Sequence, residues 1–312
     1  MMEYLKSDPL SDQEKLLATV FPGAGLSYEY LDWLYRSSPD GVDLASDYRE
    51  GEELLGHYTV VRQNWSIDGE IKPFALSLNT AVHEKARGKG LFTSLAARCY
   101  EDAKESGIEA VVGVANANST PGFLKKLGFQ HVCALPVIAG CALPIKPTST
   151  KSYHLSAEFL ASQGFSAIAS RVAAGIPTTG CTQHWSTEKL KWRLSSPRGR
   201  YALHHHEEGT LITTTGKLPM GMSAVILLKF FPHGPKKVDT KKLVRAATSW
   251  HRTPFFIYSG FNSHASVSAA VDLPRAVLPS PLNLIFKNLS GSVQDCEFIR
   301  SGTFEFLDFD AY

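Results

Sequence analysis

Two glycines separated by one residue stand directly before an apolar helix pattern near residue 90. Glycine lets a backbone approach a ligand closely and adopt left-handed dihedral angles. The first amide groups of a helix have no acceptor within the helix, and the helix dipole adds partial positive charge there. Such a turn suits a pyrophosphate. The residues of this turn that could surround phosphate oxygens are Arg87, Gly88, Lys89, Gly90, Leu91, Phe92 and Thr93.

The spacing of this turn excludes two common phosphate-binding motifs. A P-loop would end in Gly-Lys-Ser or Gly-Lys-Thr, and neither sequence ends this turn. A dinucleotide-binding fingerprint would carry a third glycine in the region of Phe92 and Thr93. The two glycines taken alone also fit an ordinary tight turn, so the elements around them must decide.

The elements around the turn alternate between strand and helix. A strand-like run, Phe74–Val82, precedes the turn, and the helix that follows has apolar residues at helical spacing up to Gly107. Ile108–Ala115 has the composition of a buried strand. Thr120, followed by proline, predicts the start of a short helix that ends at Gly128. This order predicts an α/β fold with a mixed sheet and at least one parallel crossover.

Together, these elements resemble the GNAT superfamily of acyl-CoA N-acyltransferases over roughly residues 74–129. The residues that carry the resemblance are the turn Arg87–Leu91, the pair Asn118-Ser119 and the segment Phe123–Phe129. The resemblance implies acyl-coenzyme A as cosubstrate, with its pyrophosphate against the amides of residues 87–93. It also implies that the strand Leu78–Val82 splays from Ile108–Ala115, with the thioester in the gap.

Two further roles follow from the same resemblance. Ala81 and Val82, at the end of the splayed strand, would pair with the pantetheine arm of coenzyme A like an added β-strand. Asn118 would bond this arm or line the acyl site. No metal is implied.

The chain departs from the family pattern at the positions of the usual acid and base. Leu124 stands where many members carry the tyrosine that protonates the leaving thiolate. No glutamate occupies the strand before the turn, so neither a general acid nor a general base can be assigned by position. The candidates for catalysis are Asn79, Asn118 and Ser119, which could hold the waters through which the amine loses its proton.

The second half of the chain repeats features of the first. Trp33 precedes a Ser-Ser-Pro segment, as Trp192 does, and Asn262-Ser263 follows a strand pattern as Asn118-Ser119 does. These echoes favour a duplication. We therefore expect two tandem GNAT-like domains, each a mixed, splayed sheet flanked by helices: residues 1–150 binding acyl-CoA, a linker over residues 151–184, and a degenerate domain over residues 185–312.

The degenerate half is expected not to bind coenzyme A. Pro232-His233-Gly234-Pro235-Lys236 replaces the glycine turn, and proline lacks the amide hydrogen that a phosphate needs. A connecting helix is expected over Ala157–Ala174. Asn262 and His264 are candidates for binding the acceptor, although a purely structural second half remains equally open. The run His204–Glu208 is interpreted as a solvated hairpin tip rather than a metal site.

Composition limits the partners. The 32 basic and 30 acidic residues give a net charge of only +2, which argues against nucleic acid as the default partner. The start of the chain lacks the pattern of a signal peptide, and Val132–Ile145 is too short for the about 20 residues of a membrane span. Five widely spaced cysteines suit a reducing compartment, so a cytoplasmic location is expected.

The sequence thus favours an N-acyltransferase that moves an acyl group from coenzyme A to a primary amine. The resemblance extends to acyltransferases of surface-polysaccharide biosynthesis, so an amino sugar, free or nucleotide-linked, is the preferred acceptor. The alternative is a non-catalytic acyl-CoA-binding or regulatory module, which the missing tyrosine and glutamate favour. A Fem-type enzyme using charged tRNA fits poorly with the intact turn. The acyl group and the oligomeric state stay open.

Overall fold

The computed structural model describes residues 9–145, 147–218, 221–234, 237–274, 278, 280–291, 296–309 and 311. It has two mixed β-sheets with helices on their faces, which confirms the predicted α/β class. The helices are α1 Pro9–Val20, α2 Tyr28–Arg36, α3 Leu91–Glu105, α4 Thr120–Lys126, α5 Ala157–Leu160, α6 Gln163–Ala174, α7 Thr187–Leu194 and α8 Thr240–His251. None of these described helices is long and apolar enough to cross a bilayer.

The strands belong to two sheets of seven and eight strands. They are β1 Leu44–Glu50, β2 Glu53–Ile67, β3 Glu70–Val82, β4 Ala110–Ala115, β5 Gln130–Ala134, β6 Val137–Cys141, β7 Lys151–His154, β8 Cys181–Gln183, β9 Ala202–His206, β10 Gly209–Lys217, β11 Ser223–Pro232, β12 Phe255–Asn262, β13 Ala270–Asp272, β14 Asn283–Asn288 and β15 Thr303–Glu305.

The first sheet has the order β1-β2-β3-β4-β14-β5, with β8 paired to β2. Only β3 and β4 run parallel in it, and α3 makes the crossover between them. This helix forms because its apolar residues recur on one face. The residues predicted to face inward are all buried: Leu91, Leu95, Ala96, Cys99 and Ala103. Their packing against the sheet fixes the start of α3 beside the end of β3.

The second sheet has the order β13-β6-β12-β11-β10-β9-β7, with β15 paired to β12. Its one parallel pair, β11 and β12, is joined by α8, as α3 joins β3 and β4. Each sheet therefore contains the same unit of two hairpin strands, a crossover helix and a parallel strand. This repetition is consistent with two tandem GNAT-like domains.

The two halves exchange strands. β14, from the C-terminal part of the chain, lies between β4 and β5 in the first sheet, and β6, from the N-terminal part, lies beside β12 in the second. β14 pairs with the edge of β4, and β6 pairs with the edge of β12. In each case the strand that covers the edge comes from the other half of the chain. The domain limits near residues 150 and 185 stay a prediction, since the sheets themselves are built across both.

The segment between the halves is helical but not continuous. Instead of one helix over Ala157–Ala174, the chain forms α5 and α6 with a break at Ala161 and Ser162. The Ser162 side chain accepts a hydrogen bond from the Phe165 amide and caps the second helix. A serine in this role satisfies an amide that would otherwise lack an acceptor, which stabilises a new helix start.

The two echoed tryptophans meet at the contact between the halves. The rings of Trp33 and Trp192 stack with centroids 4.7 Å apart. Each indole N–H donates to the backbone carbonyl of the other residue, both at 3.0 Å. This reciprocal contact is the arrangement expected of two repeats related by a local two-fold axis. The repeated Trp of the sequence thus lies at the junction that holds the sheets together.

Candidate active site

The strands β3 and β4 separate part-way along their length. They pair from Phe74 to Ser77 on one side and from Ala110 to Gly113 on the other, and the pairing stops there. The register between β3 and β2 shifts at the same point, and Asn79 has a left-handed backbone with φ of +50°. A bulge of this kind bends a strand away from its neighbour. The splay that the resemblance implies is therefore present.

A groove with a volume of about 560 Å³ lies in this gap. Its lining combines aromatic rings with neutral polar side chains and comes from β3, β4, α3, α4 and the end of α1. The residues are Phe21, Ser77, Leu78, Asn79, Thr80, Val82, Phe92, Val114, Asn116, Asn118, Ser119, Gly122 and Phe123. None of these lining residues carries a charge, an imidazole or a carboxylate.

The predicted phosphate turn lies between β3 and α3. Gly88 and Gly90 both have left-handed backbones, with φ of +82° and +73°. A Cβ atom at either position would meet nothing within 4 Å, so backbone conformation rather than crowding requires glycine there. Gly90 is the N-cap of α3, and no side chain caps this helix end. The positive end of the helix is thus left open toward the turn.

The amides of the turn divide into two groups. The Arg87 N–H donates to the Glu84 carbonyl at 3.2 Å, and the Thr93 N–H donates to the Gly90 carbonyl at 3.1 Å. These two ends of the predicted cradle are engaged by the protein itself. The amides between them have no acceptor in the described part of the chain and belong to Gly88, Lys89, Gly90, Leu91 and Phe92. The run of amides without an acceptor is therefore two residues shorter than the stretch 87–93 that the resemblance implies.

The two cations of the turn differ in their partners. Lys89 contacts Glu50, and this hydrogen bond raises the pKa of Lys89. Arg87 is exposed and makes no ion pair with a described residue. Arg87 is therefore immediately available to a phosphate, whereas Lys89 would first have to leave Glu50.

The loop after β4 is organised by Asn116, a residue that sequence reasoning missed. Its side-chain oxygen accepts from the amides of Asn118 at 3.0 Å and Ser119 at 2.9 Å. Ser119 is also the N-cap of α4, one residue before the predicted start at Thr120, and its hydroxyl accepts from the Asn116 amide. The Ser119 hydroxyl is thus occupied within the loop. The Asn118 side chain makes no hydrogen bond to a described residue.

Asn79 is connected to three residues that the sequence did not single out, of which Tyr35 and His57 are buried and Asp47 is partly exposed. Its side-chain nitrogen donates to the Tyr35 hydroxyl at 2.9 Å. That hydroxyl lies 3.3 Å from Nε2 of His57, whose Nδ1 lies 2.7 Å from Oδ1 of Asp47. The signal in the sequence was a single histidine within the apolar run that forms β2. A chain of polar side chains therefore reaches the groove from beneath it.

Asn262 and His264 do not line this groove. The Asn262 side chain donates to the Phe230 carbonyl at 3.1 Å and to the Glu305 carboxylate at 3.0 Å, within the second sheet. The His264 amide donates to the Asn262 side chain. These contacts give both residues a structural role, and the predicted contact with the acceptor has no support in them.

The run beginning at His204 does form a hairpin, but only its turn, Glu207 and Glu208, is the solvated tip that the sequence suggested, and His204 and His206 are buried. His204 is fully buried, with Nδ1 2.8 Å from the Ser152 hydroxyl and Nε2 2.9 Å from the Thr213 hydroxyl. His206 is 4% exposed. Burial lowers the pKa of His204 to about 3, so it is neutral at pH 7. Alternation in β9 does not expose either face, because helices and loops cover both.

Comparison with known proteins agrees with this geometry. Residues 3–132 match the family model described as an acetyltransferase (GNAT) domain. The match lies within the N-terminal part of the chain, where the groove and the glycine turn also lie. This match confirms the predicted enzyme class, an acyl-CoA-dependent acyltransferase. The family described by the model implies acyl-coenzyme A as the cosubstrate. No curated protein matches the sequence.

Several solved structures share the fold across both sheets. A probable N-acyltransferase from Enterococcus faecalis aligns with TM-score 0.66 and 13% identity, over 90% of this chain and 70% of its own. A GCN5-related N-acetyltransferase from Anabaena variabilis aligns with TM-score 0.61 and 12% identity, over 91% and 72%. Eis1 from Mycobacterium abscessus aligns with TM-score 0.56 and 14% identity, over 89% and 71%. At these identities the likeness shows the fold alone.

Proposed function

We propose that this GNAT domain acylates the primary amine of an amino sugar, with coenzyme A as the acyl donor. The observation that carries the choice of acceptor is the neutral polar lining of the groove. Its hydroxyl and amide groups belong to Ser77, Asn79, Thr80, Asn116, Asn118 and Ser119. Such groups suit the hydroxyls of a sugar, whereas an amine with several positive charges needs carboxylates.

Coenzyme A would be held by backbone more than by side chains. The unbonded amides from Gly88 to Phe92 face the open end of α3 and suit the pyrophosphate oxygens. The edge of β3 beyond Ser77 has no strand partner, because β4 has separated from it. Ala81 and Val82 pair with β2 on their other side only. This free edge suits the amides of the pantetheine arm, in the manner of an added strand.

The groove supplies position rather than a strong base. None of its lining residues can remove a proton at neutral pH, so the amine would lose its proton to water. Holding an amine and a thioester in reacting geometry can itself supply several kcal/mol. Asn118, whose side chain is unengaged, is our candidate for orienting the donor, and Asn79 for orienting the acceptor.

One observation favours a second function, a non-catalytic acyl-CoA-binding module. Leu124 stands where many GNAT enzymes carry a catalytic tyrosine, and its side chain packs against the apolar cluster of α3. No tyrosine is among the described residues that line the groove, so no phenol there can take the place of the catalytic one. A module of this kind would keep the cosubstrate site and would release no thiol.

Thiol release from acetyl-CoA distinguishes these functions. We expect turnover with amino sugars, and a kcat/KM at least about 10-fold above that for a linear polyamine, because a site that hydrogen-bonds sugar hydroxyls discriminates against acceptors that lack them. Turnover confined to polyamines would overturn the acceptor class. Binding of coenzyme A without turnover, whatever the amine, would overturn catalysis and support the module.

A further inference from the structure

A chain of four polar side chains runs from the edge of the first sheet to the groove. Asp47 on β1, His57 on β2, Tyr35 on α2 and Asn79 on β3 follow one another at 2.7, 3.3 and 2.9 Å. His57 and Tyr35 are fully buried. A buried polar group is costly without a partner, so each member constrains the next.

Chemistry fixes the direction of the hydrogen bonds in this chain. A carboxylate oxygen accepts, so Nδ1 of His57 donates to Asp47. In the tautomer with its hydrogen on Nδ1, Nε2 accepts from the Tyr35 hydroxyl. The oxygen of Tyr35 is left to accept from the side-chain nitrogen of Asn79.

Asp47, at the other end of this series of hydrogen bonds, is also held in place. The second carboxylate oxygen of Asp47 accepts from the Gln13 side chain at 3.1 Å, which connects the chain to α1. The Asp47 carboxylate therefore cannot rotate without breaking a hydrogen bond at each oxygen. A chain anchored at this end holds a single orientation at the other.

Asn79 is the one member of the chain that lines the groove. It lies in the bulge of β3 with φ of +50°, a conformation that costs an ordinary residue free energy and that asparagine tolerates. Because its nitrogen is bound to Tyr35, its carbonyl oxygen is the part of the amide left for a ligand. The described residues provide no donor to this oxygen.

We propose that the Asn79 carbonyl accepts a hydrogen bond from the acceptor amine, and that Asp47, His57 and Tyr35 are positioning residues that fix this amide. The inference rests on the proposed acyl transfer. The amine nitrogen forms a bond to the thioester carbon, and the carbon–sulfur bond breaks with its electron pair on sulfur. The proton lost by nitrogen reaches the sulfur through water. One N–H held by Asn79 aims the nitrogen lone pair at the carbon.

A double-mutant cycle tests this role. Asn79→Gly removes the amide and keeps the left-handed backbone, and Tyr35→Phe removes the acceptor that orients it. Each variant should lower kcat/KM for the acceptor by roughly 10- to 100-fold, because the amine is misaligned. The double variant should match Asn79→Gly alone, since Tyr35 acts through Asn79. Losses that multiply would overturn the positioning role.

Two controls keep the outcome specific. Coenzyme A affinity should stay within about two-fold in every variant, because the phosphate turn is untouched. Tyr201→Phe removes another buried hydroxyl, which accepts a hydrogen bond from Arg193 at 2.9 Å away from the groove lining, and should leave kcat/KM within about two-fold. If Tyr35→Phe does not fold, Asn79→Gly still decides: unchanged acceptor kinetics would overturn the proposal. Absence of turnover in the wild type would instead overturn the proposed function.

Discussion

The two sheets open at the same place but differ in what fills the opening. In the first sheet the parallel pair ends at Ser77 and Gly113, and the gap beyond is the groove. In the second sheet the parallel pair ends at Leu227 and Tyr258, and the gap beyond holds β15 of the same chain. The same architecture therefore leaves an open groove in one half, whereas the chain itself fills the gap in the other.

The residues within the second gap explain why it is closed. Lys229 lies 2.7 Å from the Asp308 carboxylate and 3.2 Å from that of Glu305, and all three are buried. Burial raises the pKa of Glu305 to about 7. Burial acts to lower the pKa of Lys229, but the two carboxylates outweigh it and raise that pKa. These groups occupy the second gap at the place that corresponds to the groove of the first sheet.

The crossover helices differ in the same sense. Gly90 begins α3 without a side-chain cap, whereas Asp239 begins α8 and accepts a hydrogen bond from the Lys241 amide. A carboxylate at a helix N-terminus neutralises the positive end to which a phosphate would bind. Pro232 ends β11, as the sequence suggested, while Pro235 and Lys236 lie outside the described residues. The second half therefore differs from the first in three ways: its gap is filled, its crossover helix is capped by a carboxylate, and the glycines of the turn are absent.

The largest effect is expected from Gly88→Val. The branched side chain forces the backbone at φ of +82° to change, which moves the amides away from the pyrophosphate. Coenzyme A binding should weaken at least about 100-fold in calorimetry. Gly107→Val is a matched control, because Gly107 has φ of +81° and the same open surroundings at the other end of α3. Equal affinities of the two variants would place the phosphates elsewhere.

The glycine turn and the elements around it could be predicted because their signals are local. The turn, its helix and the flanking strands follow one another in sequence, and each has its own periodicity or glycine signal. The Asp47–His57–Tyr35 chain gave no such signal, since its members meet Asn79 only through sheet pairing and helix packing up to 44 positions apart. A histidine within the buried β2 was the one hint.

The exchange of strands between the two sheets could not be predicted from the sequence for a related reason. The run that forms β14 is apolar and short, and such a run can pair with any open edge of either sheet. The sequence predicts that these residues belong to the second domain, whereas β14 pairs with β4 and β5 of the first sheet. In the same way, Asn262 and His264 looked free because the segment that fills the second gap, β15, is forty residues later in sequence.

The next effect in size concerns the filled gap. Lys229→Met leaves two carboxylates buried without their cation, which typically costs about 3–5 kcal/mol. We expect the melting temperature to fall by roughly 10 °C while the coenzyme A affinity of the folded protein is unchanged. Lys85→Met is the control, because its pair with Glu53 is exposed and worth under about 1 kcal/mol. Similar melting temperatures for the two variants would contradict a structural role of the filled gap.

The smallest expected effect is a difference between the two sheets in how their stability depends on pH. His204 and His251 both contact Thr213 in the second half, and burial lowers their pKa values to about 3 and about 4. Both values lie below the ordinary 6.5, so between pH 6.5 and about 4 the unfolded chain binds protons that the folded chain does not. Stability is therefore present above pH 6.5 and is lost as pH falls through this window.

Hydrogen exchange at pH 7 and pH 5 should reveal this loss as earlier opening of β9 and β10 than of β2 and β3. His251→Gln removes one of the titrating groups of the second half and should make the pH-dependent fall in melting temperature smaller. His154→Gln replaces an exposed histidine and should leave the slope unaltered. If both sheets lose protection together, the acid sensitivity belongs to the shared core and the two halves do not differ in this respect.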